Sequence, residues 1–118
     1  MTADDFRRLA LSFADASESS HMGHPDFRVH GKIFATLHYP DASWGMVKLP
    51  PEEQHTLVHA HPKVFVPAQG AWGRRGSTNL RLEAVDSSTL RHALVIAWRN
   101  AGAKRRSKAA IVPDNRLR

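Results

Sequence analysis

The sequence contains no cysteine, which excludes disulfide bridges, thiolate chemistry and the cysteine ligands of a structural zinc site. No run of about 18 apolar residues is present, so we expect no segment to span a membrane. The first residues lack the basic start and the apolar stretch of a secretory signal peptide. Together these absences favour a cytoplasmic protein without a membrane partner.

Motifs of catalysis are also missing. The chain has no Gly-x-x-x-x-Gly-Lys loop, no dinucleotide fingerprint after a strand, no Gly-x-Ser-x-Gly elbow and no His-Glu-x-x-His. His21 and His24 lie three residues apart in a loop, and His55 and His59 lie four apart on a predicted helix. The helical pair is more typical of a solvated surface than of a metal site. We therefore expect no metal, no cofactor and no enzymatic activity.

The net charge of +6 is distributed unevenly along the 118 residues. Residues 104–118 contribute +5, from six Lys and Arg residues against one Asp. The sequence therefore predicts one folded domain over residues 1–103 and a basic, flexible tail over residues 104–118. The tail, which includes Lys104, Arg105 and Arg106, either attracts polyanions or only keeps the chain soluble.

Hydrophobic periodicity predicts an α+β domain. Helices are expected over residues 2–16, from Pro50 to before Pro62, and from an Asp86 or Ser87 cap to Gly102. Strands are expected over residues 27–30, 32–39, 43–49, 64–66 and 78–84, with loops over residues 17–25 and 70–76. We expect the strands to form an antiparallel sheet with one covered face and one open face.

Alternation along the strands assigns side chains to the two faces. The covered face is expected to hold Ile33, Ala35, Leu37, Tyr39, Gly45, Val47, Leu49, Leu80, Leu82 and Ala84. The open face is expected to hold Lys32, Phe34, His38, Trp44, Met46, Lys48, Asn79 and Arg81. Rings among cations suit a single-stranded nucleic acid, because rings stack on bases and cations contact phosphates. Alternatively, the apolar groups form a second small core under a loop or a dimer partner.

The segment from Trp72 to Asn79 places an indole and the adjacent Arg74 and Arg75 on a glycine-rich loop. Glycine allows backbone turns that other residues resist. Guanidinium groups beside an indole suit an anion with a flat part, such as a nucleotide. The alternative is a tight turn in which the arginines are solvated and Trp72 packs in the core.

Several segments taken together resemble the MmcQ/YjbR family. They are residues 24–29, 31–37, 44–49, 67–73, 78–82 and the helix end at 97–99. The resemblance covers residues 4–102 and implies a frataxin-like (CyaY-like) fold, with helices on one face of an antiparallel sheet. It also implies DNA binding, the label that the family commonly carries. Frataxins hold iron on an acidic helix, whereas here Arg7 and Arg8 accompany the acids of the first helix.

We therefore hypothesise a non-enzymatic nucleic-acid-binding protein with little sequence preference. Phosphates are expected to contact Lys32, Lys48, Arg74, Arg75, Arg81 and the tail residues Lys104, Arg105 and Arg106, while Trp44 and Trp72 stack on bases. The alternative is a surface for a protein partner, including a second copy in a homodimer, or for a small anionic ligand.

Overall fold

Six strands and four helices follow one another in a computed structural model that describes residues 1–110, with side chains for residues 1–102. The helices are α1 (Ala3–Leu11), α2 (Pro51–Ala60), α3 (Gly70–Arg74) and α4 (Ser87–Ala110). The strands are β1 (Ala16–His21), β2 (His24–Val29), β3 (Lys32–Leu37), β4 (Trp44–Lys48), β5 (Phe65–Pro67) and β6 (Ser77–Arg81). The α+β class expected from the sequence is confirmed. None of the helices within the described residues is long and apolar enough to cross a membrane.

The strands form one antiparallel sheet in the order β1-β2-β3-β4-β6-β5. Phe6 of α1 packs onto β4 at Gly45, where a Cβ atom would stand 2.8 Å from the phenylalanine ring. Buried residues of α1 and α4 share the core with the side chains of this face, including Leu37, Val47 and Leu80. We call the face that points away from α1 and α4 the open face. Along β4 and β6 it carries Trp44, Met46, Lys48, Ser77, Asn79 and Arg81.

The helix starts follow the expected caps. The hydroxyl of Thr2 accepts the backbone N–H of Asp5 at 3.0 Å, and the Asp5 carboxylate accepts that of Thr2 at 2.9 Å. This reciprocal capping satisfies donors that an exposed helix end leaves unpaired. Asp86 caps α4 by accepting the backbone N–H of Thr89 at 2.7 Å. The first helix ends at Leu11, earlier than residue 16, because the chain must turn back into β1.

The prediction of a loop over residues 17–25 is wrong. Those residues form most of a hairpin, in which β1 pairs with β2 from Ala16 opposite Val29 to His21 opposite His24. Met22 and Gly23 make the turn with φ angles of +50° and +80°, as a two-residue hairpin turn requires. The serines gave no strand signal because nearly all of β1 is exposed at the sheet edge, so it shows no apolar alternation.

The placement of Phe34 on the open face is also wrong, since this ring is fully buried in the core. Phe27 pairs with Ala35 and Arg28 pairs with Ile33, so Phe34 is an extra residue in a β-bulge. A bulge interrupts the alternation of the strand, which lets Phe34 and Ala35 both be buried. By the same shift, Ile33 becomes half-buried instead of joining the core.

Other details also differ from the sequence prediction. β3 ends at Leu37, and Tyr39 is 58% exposed. β6 ends at Arg81, so Ala84 is exposed, although Leu82 is buried as expected. Residues 70–74 form the short helix α3 instead of an irregular loop. α4 continues past Gly102 to Ala110, so the expected helix end is wrong; the predicted division into domain and tail remains a prediction.

Candidate functional site

A cleft of about 280 Å³ lies where β3 begins, β4 ends and β6 begins. We call it the Trp72 cleft; its lining consists of Lys32, Ile33, Lys48, Leu49, Trp72, Arg75, Ser77, Asn100 and Ala101. Four of the residues predicted to bind nucleic acid therefore meet here, although they are as far apart in sequence as Lys32 and Arg75. The sheet contributes the lysines and α3 contributes the indole.

Trp72 is the most exposed aromatic ring of the described residues, with 62% of its surface accessible. The interpretation that it packs in the core is therefore wrong. Lys48 places its Nζ atom 5.8 Å from the centre of the indole, and Arg75 places its Cζ atom 5.9 Å from the same centre. These contacts lie within the range of cation–π attraction. The exposed indole and the exposed Arg75 thus form one group with the half-buried Lys48.

The described residues that line the Trp72 cleft carry only positive charge, because none of them is Asp or Glu. Arg7, Arg8 and Arg28, which each contact a carboxylate, lie outside the cleft. Lys32 and Arg75 take part in none of the ion pairs that the described residues form. An anion entering the cleft would therefore not have to displace a carboxylate from either residue.

Two close backbone approaches hold α3 against the sheet. Gly73 packs on the carbonyl of Ala68, where an added Cβ would stand 1.7 Å from the oxygen. Gly76 packs on the carbonyl of Leu49 in the same way, also at 1.7 Å, and has a φ angle of +113°. The glycines that the sequence suggested as a flexible loop therefore fix α3 in place. Only glycine fits both positions.

Gln54 of α2 provides a third attachment that sequence analysis missed. Its buried side-chain amide lies 2.9 Å from the carbonyl of Gly73, 3.1 Å from that of Ser77 and 3.1 Å from the hydroxyl of Thr78. The amide nitrogen donates to these oxygens, and the Thr78 hydroxyl in turn donates to the carbonyl of Gly76. Gln54 thus joins α2 to Gly73, which lies between Trp72 and Arg75, and to the start of β6. An isolated glutamine on a helix gives no sequence signal of this role.

The other predicted site residues lie outside the Trp72 cleft. Arg74 is exposed, but it does not line the cleft. Arg81 and Trp44 pair at the opposite end of the β4–β6 ladder, with the Arg81 Cζ atom 4.4 Å from the centre of the indole. α4 continues from the cleft residue Ala101 through the backbone of Lys104, Arg105 and Arg106, whose side chains lie outside the described part of the chain.

A buried carboxylate lies on the open face of β2. Asp26 is fully buried and accepts two hydrogen bonds from Arg28, at 2.8 and 3.0 Å, while His21 Nδ1 lies 2.8 Å away. The hydrogen bonds from Arg28 hold the pKa of Asp26 below its usual range, and His21 adds to this effect, against burial, which raises the pKa. The cluster ties β1 to β2 within the hairpin.

We expect Asp26→Asn to lower the free energy of unfolding at pH 7 by about 1–3 kcal/mol, because Arg28 loses its charged acceptor. Because folding lowers the pKa of Asp26, the carboxylate makes its full contribution to stability at pH values above its ordinary pKa of about 3.9. It disappears as the pH falls through the folded-state pKa. The difference in the free energy of unfolding between the wild type and Asp26→Asn should therefore shrink below about pH 4.

Urea unfolding of both proteins between pH 3 and pH 7 measures this effect. The exposed residue Glu83 offers a control, because Glu83→Gln should change stability by less than about 0.5 kcal/mol. A difference that stays constant over the whole pH range would contradict the assigned role of Asp26.

Comparison with known proteins places the chain in a family. A family model described as YjbR matches residues 11–100, most of the chain. The chain belongs to the YjbR family. Comparison with curated proteins gave no match for this YjbR-family chain. It is similar to the crystal structure of protein DR2400 from Deinococcus radiodurans, which contains a DUF419 domain. The two share 20% identity and a TM-score of 0.70 over 97% of this chain and 91% of the other, which shows a common fold.

Proposed function

We propose that this YjbR-family chain binds nucleic acid through the Trp72 cleft and acts as a binding protein without catalytic activity. The observation that carries the proposal is the exposed indole of Trp72, flanked by Lys48 and Arg75 in a cleft whose described lining residues include no acid. Cations attract the phosphate backbone, and an exposed ring offers a stacking surface for a base. Lys32 extends the same positive surface along the end of β3.

The chemistry of the lining supports binding rather than catalysis. None of the described residues that line the cleft is a histidine or a carboxylate, so they offer neither a general base nor a metal ligand of those types. Among the described lining residues the one side-chain hydroxyl belongs to Ser77, which is 7% exposed, and none of these residues is a histidine or carboxylate that could act as its base. Across the described residues, no group of three or more histidines or acids is placed to hold a metal ion.

A small anionic ligand is the second candidate, favoured by the volume of the cleft. The value of about 280 Å³ lies near the lower limit of small-molecule pockets, at about 300 Å³. A mononucleotide would use the same cations and the same ring. The two candidates differ in how affinity depends on the length of the ligand. An oligonucleotide should bind more tightly than a mononucleotide only if phosphates outside the cleft also make contacts.

Arg74 and Arg75 provide a matched pair of variants. We expect Arg75→Ala to weaken oligonucleotide binding by about fivefold or more, since a charged hydrogen-bonding contact contributes about 1.5–3 kcal/mol. Arg74→Ala should weaken it by less than about twofold, because Arg74 does not line the cleft and long-range attraction is screened by salt. Trp72→Ala should cost about 1–3 kcal/mol of stacking.

Fluorescence anisotropy of a labelled oligonucleotide at fixed ionic strength measures all three variants against the wild type. Both arginine variants remove one positive charge, so net charge alone cannot separate them. Equal losses of oligonucleotide affinity for Arg74→Ala and Arg75→Ala would favour non-specific electrostatic attraction over a defined binding site. The absence of wild-type binding would reject the proposal.

A further inference from the structure

We infer that the binding site does not end at the Trp72 cleft but continues along β4 and β6 to Trp44 and Arg81, forming a track for a single strand of nucleic acid. This inference rests on the proposed function. It adds a second contact point, a direction and a substrate class: single-stranded rather than double-stranded nucleic acid.

The register of the two strands defines the track. Lys48 pairs with Ser77, Met46 with Asn79, and Trp44 with Arg81. Alternate residues of a strand point to the same side, so these three pairs form three successive rungs on the open face. Lys48 and Ser77 also line the Trp72 cleft, which makes the cleft continuous with the first rung.

The far end of the track repeats the chemistry of the cleft. The Arg81 guanidinium carbon lies 4.4 Å from the centre of the Trp44 ring, closer than either cation lies to Trp72. Arg81 is exposed and takes part in none of the ion pairs among the described residues. A guanidinium held over an indole presents a charge for phosphate and a flat surface on which a base can stack.

The middle rung carries no charge and is half-buried. Met46 offers a polarisable apolar surface, and the amide of Asn79 has no hydrogen-bond partner within the described part of the chain. An amide side chain can both donate to and accept from the edge of a base. A base lying between the two ring–cation pairs would therefore meet a polar contact at Asn79.

The spacing of the two ends sets the length of the ligand. Four residues separate Trp44 from Lys48, which corresponds to about 13 Å along a strand. At about 3.4 Å per nucleotide of a stacked strand, this span corresponds to about four nucleotides, and fewer if the strand is extended. Both ends act by stacking, which requires bases that are not paired within a duplex.

The test compares an eight-nucleotide oligodeoxythymidylate, the corresponding dinucleotide and an eight-base-pair duplex, with the full chain and its variants. Trp44→Ala and Arg81→Ala should each weaken octamer binding by about fivefold or more but change dinucleotide binding by less than about twofold. The wild type should bind the octamer more tightly than the duplex. Arg81→Ala removes no core side chain, so it remains informative if Trp44→Ala fails to fold.

Arg91→Ala is the matched control, because Arg91 also lies over a ring, at 5.8 Å from Phe13, but on α4. It should leave octamer binding unchanged. Octamer binding that is insensitive to both Trp44→Ala and Arg81→Ala, or duplex binding as tight as octamer binding, would overturn the track. If the octamer does not bind the wild type at all, the proposed function itself fails, so the two failures can be distinguished.

Discussion

Replacing Gly76 with alanine is expected to lower the free energy of unfolding by about 3 kcal/mol or more. An added Cβ would stand 1.7 Å from the carbonyl oxygen of Leu49, and the neighbour that would have to move is backbone. Gly76 also accepts the backbone N–H of Leu49 at 3.0 Å, so a shift would strain the link between α3 and β4. The φ angle of +113° adds conformational strain for any residue with a side chain.

Gly70→Ala is the matched control for this prediction. Gly70 has a φ angle of +68°, but a Cβ there would meet no atom within 4 Å. Its cost should therefore be limited to about 1–2 kcal/mol of left-handed strain. Urea unfolding monitored by circular dichroism gives both values. If the two variants were equally stable, the close approach of Gly76 to Leu49 would not exist in solution.

Replacing Gln54 with glutamate is expected to have a comparably large effect. The side-chain nitrogen of Gln54 donates to two carbonyl oxygens and a hydroxyl oxygen. A carboxylate oxygen in its place would face these acceptors without a proton to share and would be buried, since the residue is 7% exposed. Burying an unpaired charge and leaving acceptors unsatisfied should cost about 3 kcal/mol or more at pH 7.

The pH dependence of the stability of Gln54→Glu shows whether a buried charge causes the destabilisation. Burial favours the protonated carboxyl, so its pKa should rise in the folded state. The destabilisation should then be largest at neutral pH and should diminish as the pH falls towards the ordinary value of about 4.3. Gln54→Met, of similar size but without charge, should cost about 1–3 kcal/mol with no such pH dependence. Equal losses of stability for Gln54→Glu and Gln54→Met at every pH would contradict this explanation.

Local patterns were sufficient to predict much of the fold. Thr2 and Asp86 are caps in the structure as in the sequence, and α2 spans the expected residues after Pro50. Strand alternation assigned Val47 and Leu80 to the core correctly. These features depend on neighbours in sequence, which is why periodicity and capping identify them.

The errors arose where long-range packing determines conformation. β1 is polar because it is an edge strand, and only its pairing with β2 makes it a strand. The bulge at Phe34 depends on the register between β2 and β3, which a single strand does not encode. The glycines around α3 are needed because backbone carbonyls of Ala68 and Leu49 lie against them. In each case the deciding partner lies outside the segment whose own pattern is read.

For the candidate site, the sequence identified residues of the cleft but did not predict which of them lie together in the structure. It identified Trp72 and Arg75 from a local motif, and the structure adds Lys32 and Lys48 to the same cleft through strand pairing. It treated Arg74 like Arg75, although only Arg75 lies over the indole. The pairing of Trp44 with Arg81 and the attachment by Gln54 follow from the sheet register and tertiary packing, so sequence alone could not predict them.

The most direct test of nucleic-acid binding by the cleft is the salt dependence of oligonucleotide affinity. It should be measured with all six Lys and Arg residues of the segment 104–118 replaced by glutamine in the full chain, so that positive tail charges do not contribute. Each phosphate contacted by a cation should steepen the slope of log affinity against log salt by about 0.7 for a single strand. Lys32, Lys48 and Arg75 should therefore give a slope of about −2, which becomes about −3 for an oligonucleotide that also contacts Arg81, and Arg75→Ala in the same background should reduce its magnitude by about 0.7. Loss of all binding on neutralising the tail, or a slope that Arg75→Ala leaves unchanged, would contradict a phosphate site in the Trp72 cleft.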